Sequence, residues 1–495
     1  MPFLPTFFIR FSYTVLAGGA TLTLAALRAQ RPVLRAQQIQ TIKNVKIMKI
    51  TFKILYITIF AAITLSCQNL LDEKPDRSLV VPTKLSELQA MLDNTNQVMN
   101  REAGLPELSA DHVYLPESLF PQILVEEVNS HFWREDILES MEAGEWGLAY
   151  SQIFYANIVL KELENFNDSE KASADWRNVK GSALFYRAYA YFTLARTYAL
   201  PYPTTGAEGI AGLPLRTAPE VSNDISRSDL ASTFNLITND LNEAATLLFD
   251  RAAYPTRPSK WAAYGMLSRV HLYMGNYAQV IESSNQCLTI GNTLMDYKDY
   301  EGATGMPFSL FNEETIFYSE MVTYLYQLFW GSTISESFYA KYSEGDLRRD
   351  LFFNLREDRI EFVGSYSGTM PLFSGIAVDE VILNRAEAYA WLGDEAAALA
   401  DLNSLLEKRF DDLFTPIEAE EDVISRVLEE REKQLLLRGL RWGDIKRLNT
   451  LENQGIVITR EREGITHELA PGSNRYAFPI PDIEISQSGI PQNPR

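Results

Sequence analysis

Eight of the 25 residues from Tyr318 to Tyr342 carry aromatic rings: Tyr318, Tyr324, Tyr326, Phe329, Trp330, Phe338, Tyr339 and Tyr342, against 12% over the whole chain. Flat rings in loops stack on the apolar faces of sugars or grip peptide side chains, and a few polar groups beside them fix orientation. Ser332, Ser335, Glu336 and Lys341 stand where they could supply those groups. Trp330, Tyr326, Tyr324, Tyr339 and Tyr342 are therefore the candidate ligand-binding residues. The competing expectation is that most of these rings build core, because aromatic side chains bury large areas.

Bond-breaking chemistry finds less support. The four histidines, at 112, 131, 271 and 467, are scattered without metal-ligand spacing, and no zinc motif, phosphate-cradling glycine loop, nucleophile elbow or calcium loop occurs. Neither a metal site nor a cofactor is expected. The segment "EEREKQLLLRGLRWGDIKRLN" (429–449) collects Arg, Trp, Asp and Lys beyond a helix that should stop near Gly439. Nothing there pairs a nucleophile with a base, so these charges read as a structural ion-pair network around a buried turn.

Cys67 raises a different chemistry. It follows "MKITFKILYITIFAAITLS" (48–66), with lysines at 49 and 53, an uncharged run from Ile54 to Leu65 and a small residue, which is the order of a secretory signal. That run is short of the roughly 20 residues a membrane-spanning helix needs. Cleavage before Cys67 would make it the N-terminus of a lipoprotein, although Thr64 stands where such sites prefer leucine. Two or three acyl chains would then hold the protein at a membrane almost permanently. Residues 1–47 hold a second apolar stretch and no acidic residue. Two export signals in tandem make little physical sense, so translation is expected to start at Met48, with 1–47 outside the natural product.

Composition bounds the partners. Beyond position 66 the chain has 37 basic and 65 acidic residues, a formal charge of −28. Such a surface repels nucleic acid and anionic phospholipid heads and favours neutral or cationic ligands. With Cys67 acylated only Cys287 remains, so no internal disulfide is expected.

The elements that must position these residues are helical. In "WAAYGMLSRVHLYMGNYAQVIESSNQCL" (261–288) and "VILNRAEAYAWLGDEAAALADLNSLLEKR" (381–409), Ser268, His271, Gly275, Val280 and Ser284 match Ala386, Tyr389, Gly393, Ala398 and Leu402 at identical steps. Small residues fall where two helices touch, and a glycine falls at the turn, with Asn276 and Asp394 opening the second helix. This is tetratricopeptide-like logic, in which each pair buries its apolar face by stacking on a neighbour. Further helices are expected over 145–166, 179–199 and, after a loop from Leu200 to Asp224, from Ser228 or Asp229 onward, giving four units not contiguous in sequence. The fold class is thus mainly α, a tetratricopeptide-like helix-pair scaffold with a large irregular loop-rich insert. The divisions are the extension 1–47, the signal 48–66, a lipidated tether 67–84, a helical region 85–290, the aromatic insert 291–375, the last unit and following helix 376–450, and 451–495. Prolines at 479, 481, 491 and 494 predict an extended strap for this last segment rather than a helix.

Taken together, the cysteine followed by "LLDEKP", the helix "ALFYRAYAYFTLARTYA", the two repeat units, "REKQLLLRGLRWGDIKRL" and "FPIPDIEISQSGIPQNP" resemble the SusD/RagB family of Bacteroidetes outer-membrane lipoproteins over nearly all of Cys67 to Pro494. The Gly-Tyr that often follows the closing Gln-Asn-Pro is absent. The resemblance implies a non-enzymatic, surface-exposed lipoprotein that captures oligosaccharide or another nutrient. It would hand this to a SusC-like, TonB-dependent outer-membrane transporter against which the repeat face packs. It transfers no ligand-binding position, and glycan and peptide cargo both stay open. The other classes are a glycoside hydrolase, since two carboxylates suffice for that reaction, and a periplasmic assembly scaffold.

Overall fold

The computed structural model describes residues 82–138, 143–220, 225–418 and 422–495. Cys67, the export signal, the upstream extension and residues 67–81 of the tether, on which the anchoring expectations fall, lie outside the described residues.

Among the described residues, nine helices of 11 residues or more carry the scaffold: α1 (Gly144–Leu163), α2 (Ala174–Tyr198), α3 (Leu230–Leu247), α4 (Lys260–Met274), α5 (Tyr277–Ile290), α6 (Val378–Trp391), α7 (Glu395–Leu406), α8 (Val423–Gln434) and α9 (Arg441–Leu451). Each of α1 to α7 packs on the next, and α8 lies against α6 and α7. The helix pairs therefore stack continuously, although the insert separates α5 from α6 in sequence.

The two expected pairs close alike. Gly275 and Gly393 hold φ of +74° and +81°, a left-handed conformation that glycine adopts without a Cβ penalty. The next N–H returns in each to the matched ring-bearing residue, Asn276 N–H to His271 O and Asp394 N–H to Tyr389 O, both at 2.9 Å. Asp394 caps α7 by accepting from Ala397 N–H at 3.2 Å; the Asn276 side chain makes no such bond. Where α4 and α5 touch, Ser268 and Ser284 share a hydrogen bond at 2.8 Å, and Asn384 of α6 donates to Ser268 at 3.1 Å. Asp229, one of the two expected caps, accepts from Ser232 N–H at the start of α3.

Helix α2 is buried on every side from Gly181 to Tyr198, as a helix apolar all round must be. Two of its arginines form buried ion pairs. Arg187 pairs with Asp240 of α3 at 2.7 and 2.8 Å, and Arg196 pairs with Glu102.

The stretch after α8 differs from expectation by a few residues. The helix ends at Gln434; left-handed Leu437 and Gly439 then turn the chain into α9. The charges there do form a structural network. Asp444 accepts from Arg431 at 2.9 Å and Arg447 at 2.8 Å, and Arg447 grips Glu387 of α6 at 2.5 and 2.8 Å. Burial works against the Asp444 charge, but the two guanidiniums hold its carboxyl well below the usual range. Lys446 donates to the carbonyls of Arg196 and Ala199, tying α9 to the end of α2.

The C-terminal segment departs from an extended strap in two places. A hairpin pairs β4 (Ile458–Arg462) with β5 (Ile465–Leu469) through Glu463 and Gly464, both at positive φ, as a two-residue turn requires. A short helix covers Asp482–Ser488, with Pro481 as its N-cap. The prolines stand outside it, where they block no helical hydrogen bond. The last residues do strap the core, since Asn493 donates to the carbonyls of Tyr198 and Phe478, both at 2.7 Å.

Candidate ligand-binding surface

The loop-rich insert is built on a small sheet whose central strand is β3. Strand β1 (Thr333–Ile334) and strand β2 (Phe353–Leu355) both pair antiparallel with β3 (Ile360–Phe362). A remote segment extends the sheet beyond β1. Val113 bridges Ile334, Tyr114 N–H donates to Thr333 O at 2.9 Å, and Thr333 Oγ1 returns a bond to Tyr114 O at 2.7 Å. The sequence signal here is weak because the strands are two or three residues long.

This arrangement sorts the candidate rings. Tyr324, Tyr326 and Tyr342 are buried at 6%, 2% and 2% exposure. Tyr324 donates its hydroxyl to Glu145 Oε1 at 2.9 Å. Tyr326 is seated by its N–H on Glu127 Oε1 at 2.8 Å. Tyr342 donates to Lys433 O at 2.8 Å and packs edge-on against Phe338, Phe352 and Phe353. These three belong to the core and offer no face to a ligand, which corrects the expectation for them. Trp330 and Tyr339 are half-buried at its edge. Arg349 lies over the Tyr339 ring at 5.2 Å and donates to its hydroxyl at 3.0 Å.

Trp330 ends a one-turn helix, Leu325–Phe329, and Gly331 follows at φ +82°. Leu328 and Phe329 beside it are 54% and 56% exposed. The Trp330 Nε1 donor is buried and has no hydrogen-bond partner among the described residues. Over the indole ring, at 4.7 Å, sits the guanidinium of Arg359. Arg359 also lines a concavity of about 400 Å³. One wall of it is Tyr114, Ile334, Ser335 and Glu336; the other is the turn between β2 and β3, residues 356–359, with Ile360 of β3. Tyr114 is 50% exposed at this rim.

Of the polar groups expected to help, Ser335 and Glu336 line the concavity. Ser335 accepts from Phe338 N–H as a helix cap, Ser332 is buried, and Lys341 is paired with Glu432 at 2.7 Å. Tyr114 and Arg359 were not legible as site residues, because an isolated tyrosine some 200 positions upstream and a turn arginine carry no pattern until the sheet joins them.

Beneath the Trp330 segment lie buried carboxyls. Glu145 accepts from Gly104 and Leu105 N–H at 2.5 and 3.1 Å besides Tyr324. Burial nevertheless pushes it up to about 7, and burial likewise raises Glu127. Asp111, His112 and Glu432 converge closely enough to ligate a metal ion. Cations of the chain already serve them: Arg441 reaches Asp111 at 2.7 Å and Glu432 at 3.2 Å, beside the Lys341 ammonium. Against burial, the hydrogen bond with His112 and the Arg441 charge hold Glu432 down to about 2. Among the described residues no helix is long and apolar enough to cross a membrane.

Comparison with known proteins places this geometry. Residues 69–272 match a family described as starch-binding, associating with the outer membrane, and residues 378–495 match the SusD family. A SusD-like protein of Bacteroides ovatus is 24% identical over 230 residues, a match spanning 44% of this chain and 39% of the relative's length. A SusD superfamily structure from Bacteroides thetaiotaomicron superposes with a TM-score of 0.67 at 21% identity, covering 83% of this chain and 100% of its own. Surface glycan-binding protein A from Bacteroides fluxus does so at 0.63 and 18% identity, with the same coverage of each chain. The matched segments are the helices on either side of the insert, α1 to α4 and α6 to α9, and on that agreement of sequence and architecture the chain belongs to the SusD/RagB family.

Proposed function

We propose that this protein is a cell-surface lipoprotein, anchored through Cys67, that binds glycan at the concavity of Tyr114 and Arg359 next to Trp330 and passes it to a SusC-like, TonB-dependent transporter. The observation that carries the reading is a concavity lined by exposed Tyr114 and by Arg359, whose guanidinium stacks on the half-buried Trp330 next to it. This is the aromatic-plus-polar geometry that suits a sugar's apolar face and its hydroxyls. The family description as starch-binding and outer-membrane-associated and the likeness to a surface glycan-binding protein support the ligand class. The division of the chain proposed with it is a tether over 67–84, a helical stack that supports the insert, and the insert 291–375 as the ligand-bearing part.

The test is a glycan array probed with the purified chain and with Trp330→Ala. Binding to a family of glycans that is lost in the variant is the expected result. Array-wide silence of the wild type, or binding that Trp330→Ala leaves intact, would reject this site. Incubation of the bound glycans with the wild type is expected to release no new reducing ends, and their appearance would favour a glycoside hydrolase instead.

A further inference from the structure

The charge around the concavity of Tyr114 and Arg359 points to the class of glycan it takes. Two guanidiniums stand on its wall and both are committed. Arg356 Nε pairs with Glu361 at 3.0 Å, and Arg359 is held by Asp358 at 3.0 and 3.2 Å while it covers the indole. Glu336 and Glu357, both exposed, have no ion pair among the described residues. The wall thus carries three carboxylates, Glu336, Glu357 and Asp358, and two guanidiniums, each paired with a carboxylate, so Glu336 and Glu357 are its unpaired charges. The chain beyond position 66 adds a field of the same sign, with 37 basic and 65 acidic residues. A uronate or sulfate would bring a negative charge to a wall whose guanidiniums are both already paired and whose unpaired charges are negative, whereas an amine would meet Glu336 and Glu357.

We propose that this concavity takes glycans free of carboxylate and sulfate groups, and prefers an amino sugar to its uncharged counterpart. The inference rests on the glycan-binding reading of the same site and adds the charge class of the ligand.

The experiment uses the purified chain on matched sets of oligosaccharides of one backbone in uncharged, amine-bearing and uronate or sulfated forms. Affinities are measured at 20 mM and 500 mM salt. The anionic form is expected to bind about five- to ten-fold more weakly than the uncharged one at low salt, with the gap closing at high salt. In the double variant Glu336→Gln/Glu357→Gln the gap should narrow several-fold and the preference for the amine should fall. Equal or tighter binding of the anionic form, a gap indifferent to salt, or an unchanged gap in the double variant would overturn charge selection while leaving glycan binding in place. No binding of any form, or binding that survives Trp330→Ala, would remove the site itself and this inference with it.

Discussion

The guanidinium of Arg359 lies over the indole of Trp330 at 4.7 Å, so protein backs one face of the ring and leaves only the other for the proposed sugar contact. Trp330 is only half-buried, whereas Tyr326 is 2% exposed. Trp330→Ala is therefore expected to weaken glycan binding at least ten-fold while shifting the melting temperature little. Tyr326→Ala should cost about 3–5 kcal/mol. Thermal melts of the two variants beside binding titrations check this; equal destabilisation would assign Trp330 to the core.

Glu145 should make stability depend on pH. Burial raises its folded-state value to about 7 from an ordinary 4.5, so between these values the folded chain holds a proton that the unfolded chain has lost. Its contribution therefore falls as pH rises through that window, by a total on the order of 3 kcal/mol. Glu145→Gln keeps an acceptor for Gly104, Leu105 and Tyr324. It should melt like the wild type near pH 4.5 and higher than the wild type at pH 8. A difference that does not grow with pH would contradict this assignment.

The network joining α6, α8 and α9 predicts a large effect of a different kind. Arg447→Met leaves Glu387 and Asp444 with a lost partner in a site where Glu387 is fully buried. The expected loss is about 3–5 kcal/mol in urea unfolding. Glu387→Gln added to it should restore part of that loss, because an uncompensated charge, rather than a missing attraction, dominates the cost.

The two repeat turns should respond unequally to the same substitution. A Cβ on Gly393 meets nothing within 4 Å, so Gly393→Ala carries only the left-handed backbone penalty, about 1 kcal/mol. A Cβ on Gly275 would approach Leu451 Cδ1 to 3.0 Å. Gly275→Ala should therefore lower the melting temperature further, by the cost of displacing that side chain from α9.

For the proposed anchor, Cys67→Ala should abolish retention of the protein in the membrane fraction. An unchanged fraction on immunoblotting would reject acylation at that residue.

The helix pairs were legible because their signal is local. The step from Ser268 to Gly275 and its copy from Ala386 to Gly393 specify a small contact residue, a ring and a left-handed stop within a few turns of chain. The charge network after Gln434 was legible in kind for a related reason: no nucleophile stood near a base. The hairpin β4–β5 and the Asp482–Ser488 helix were missed. The Glu463-Gly464 turn is a short signal, and prolines bordering a helix look like prolines that forbid one.

The sequence by itself determined the family, the helical scaffold and the aromatic richness of residues 318–342. The tertiary structure alone decided which of those rings meet solvent. Glu145, Glu127 and Lys433 approach from helices 90 to 200 residues away and take Tyr324, Tyr326 and Tyr342 into the core, while strand pairing brings Tyr114 and Arg359 to one concavity, with Arg359 over Trp330. Burial is set by contacts between distant segments, and a run of aromatic residues is compatible with either face.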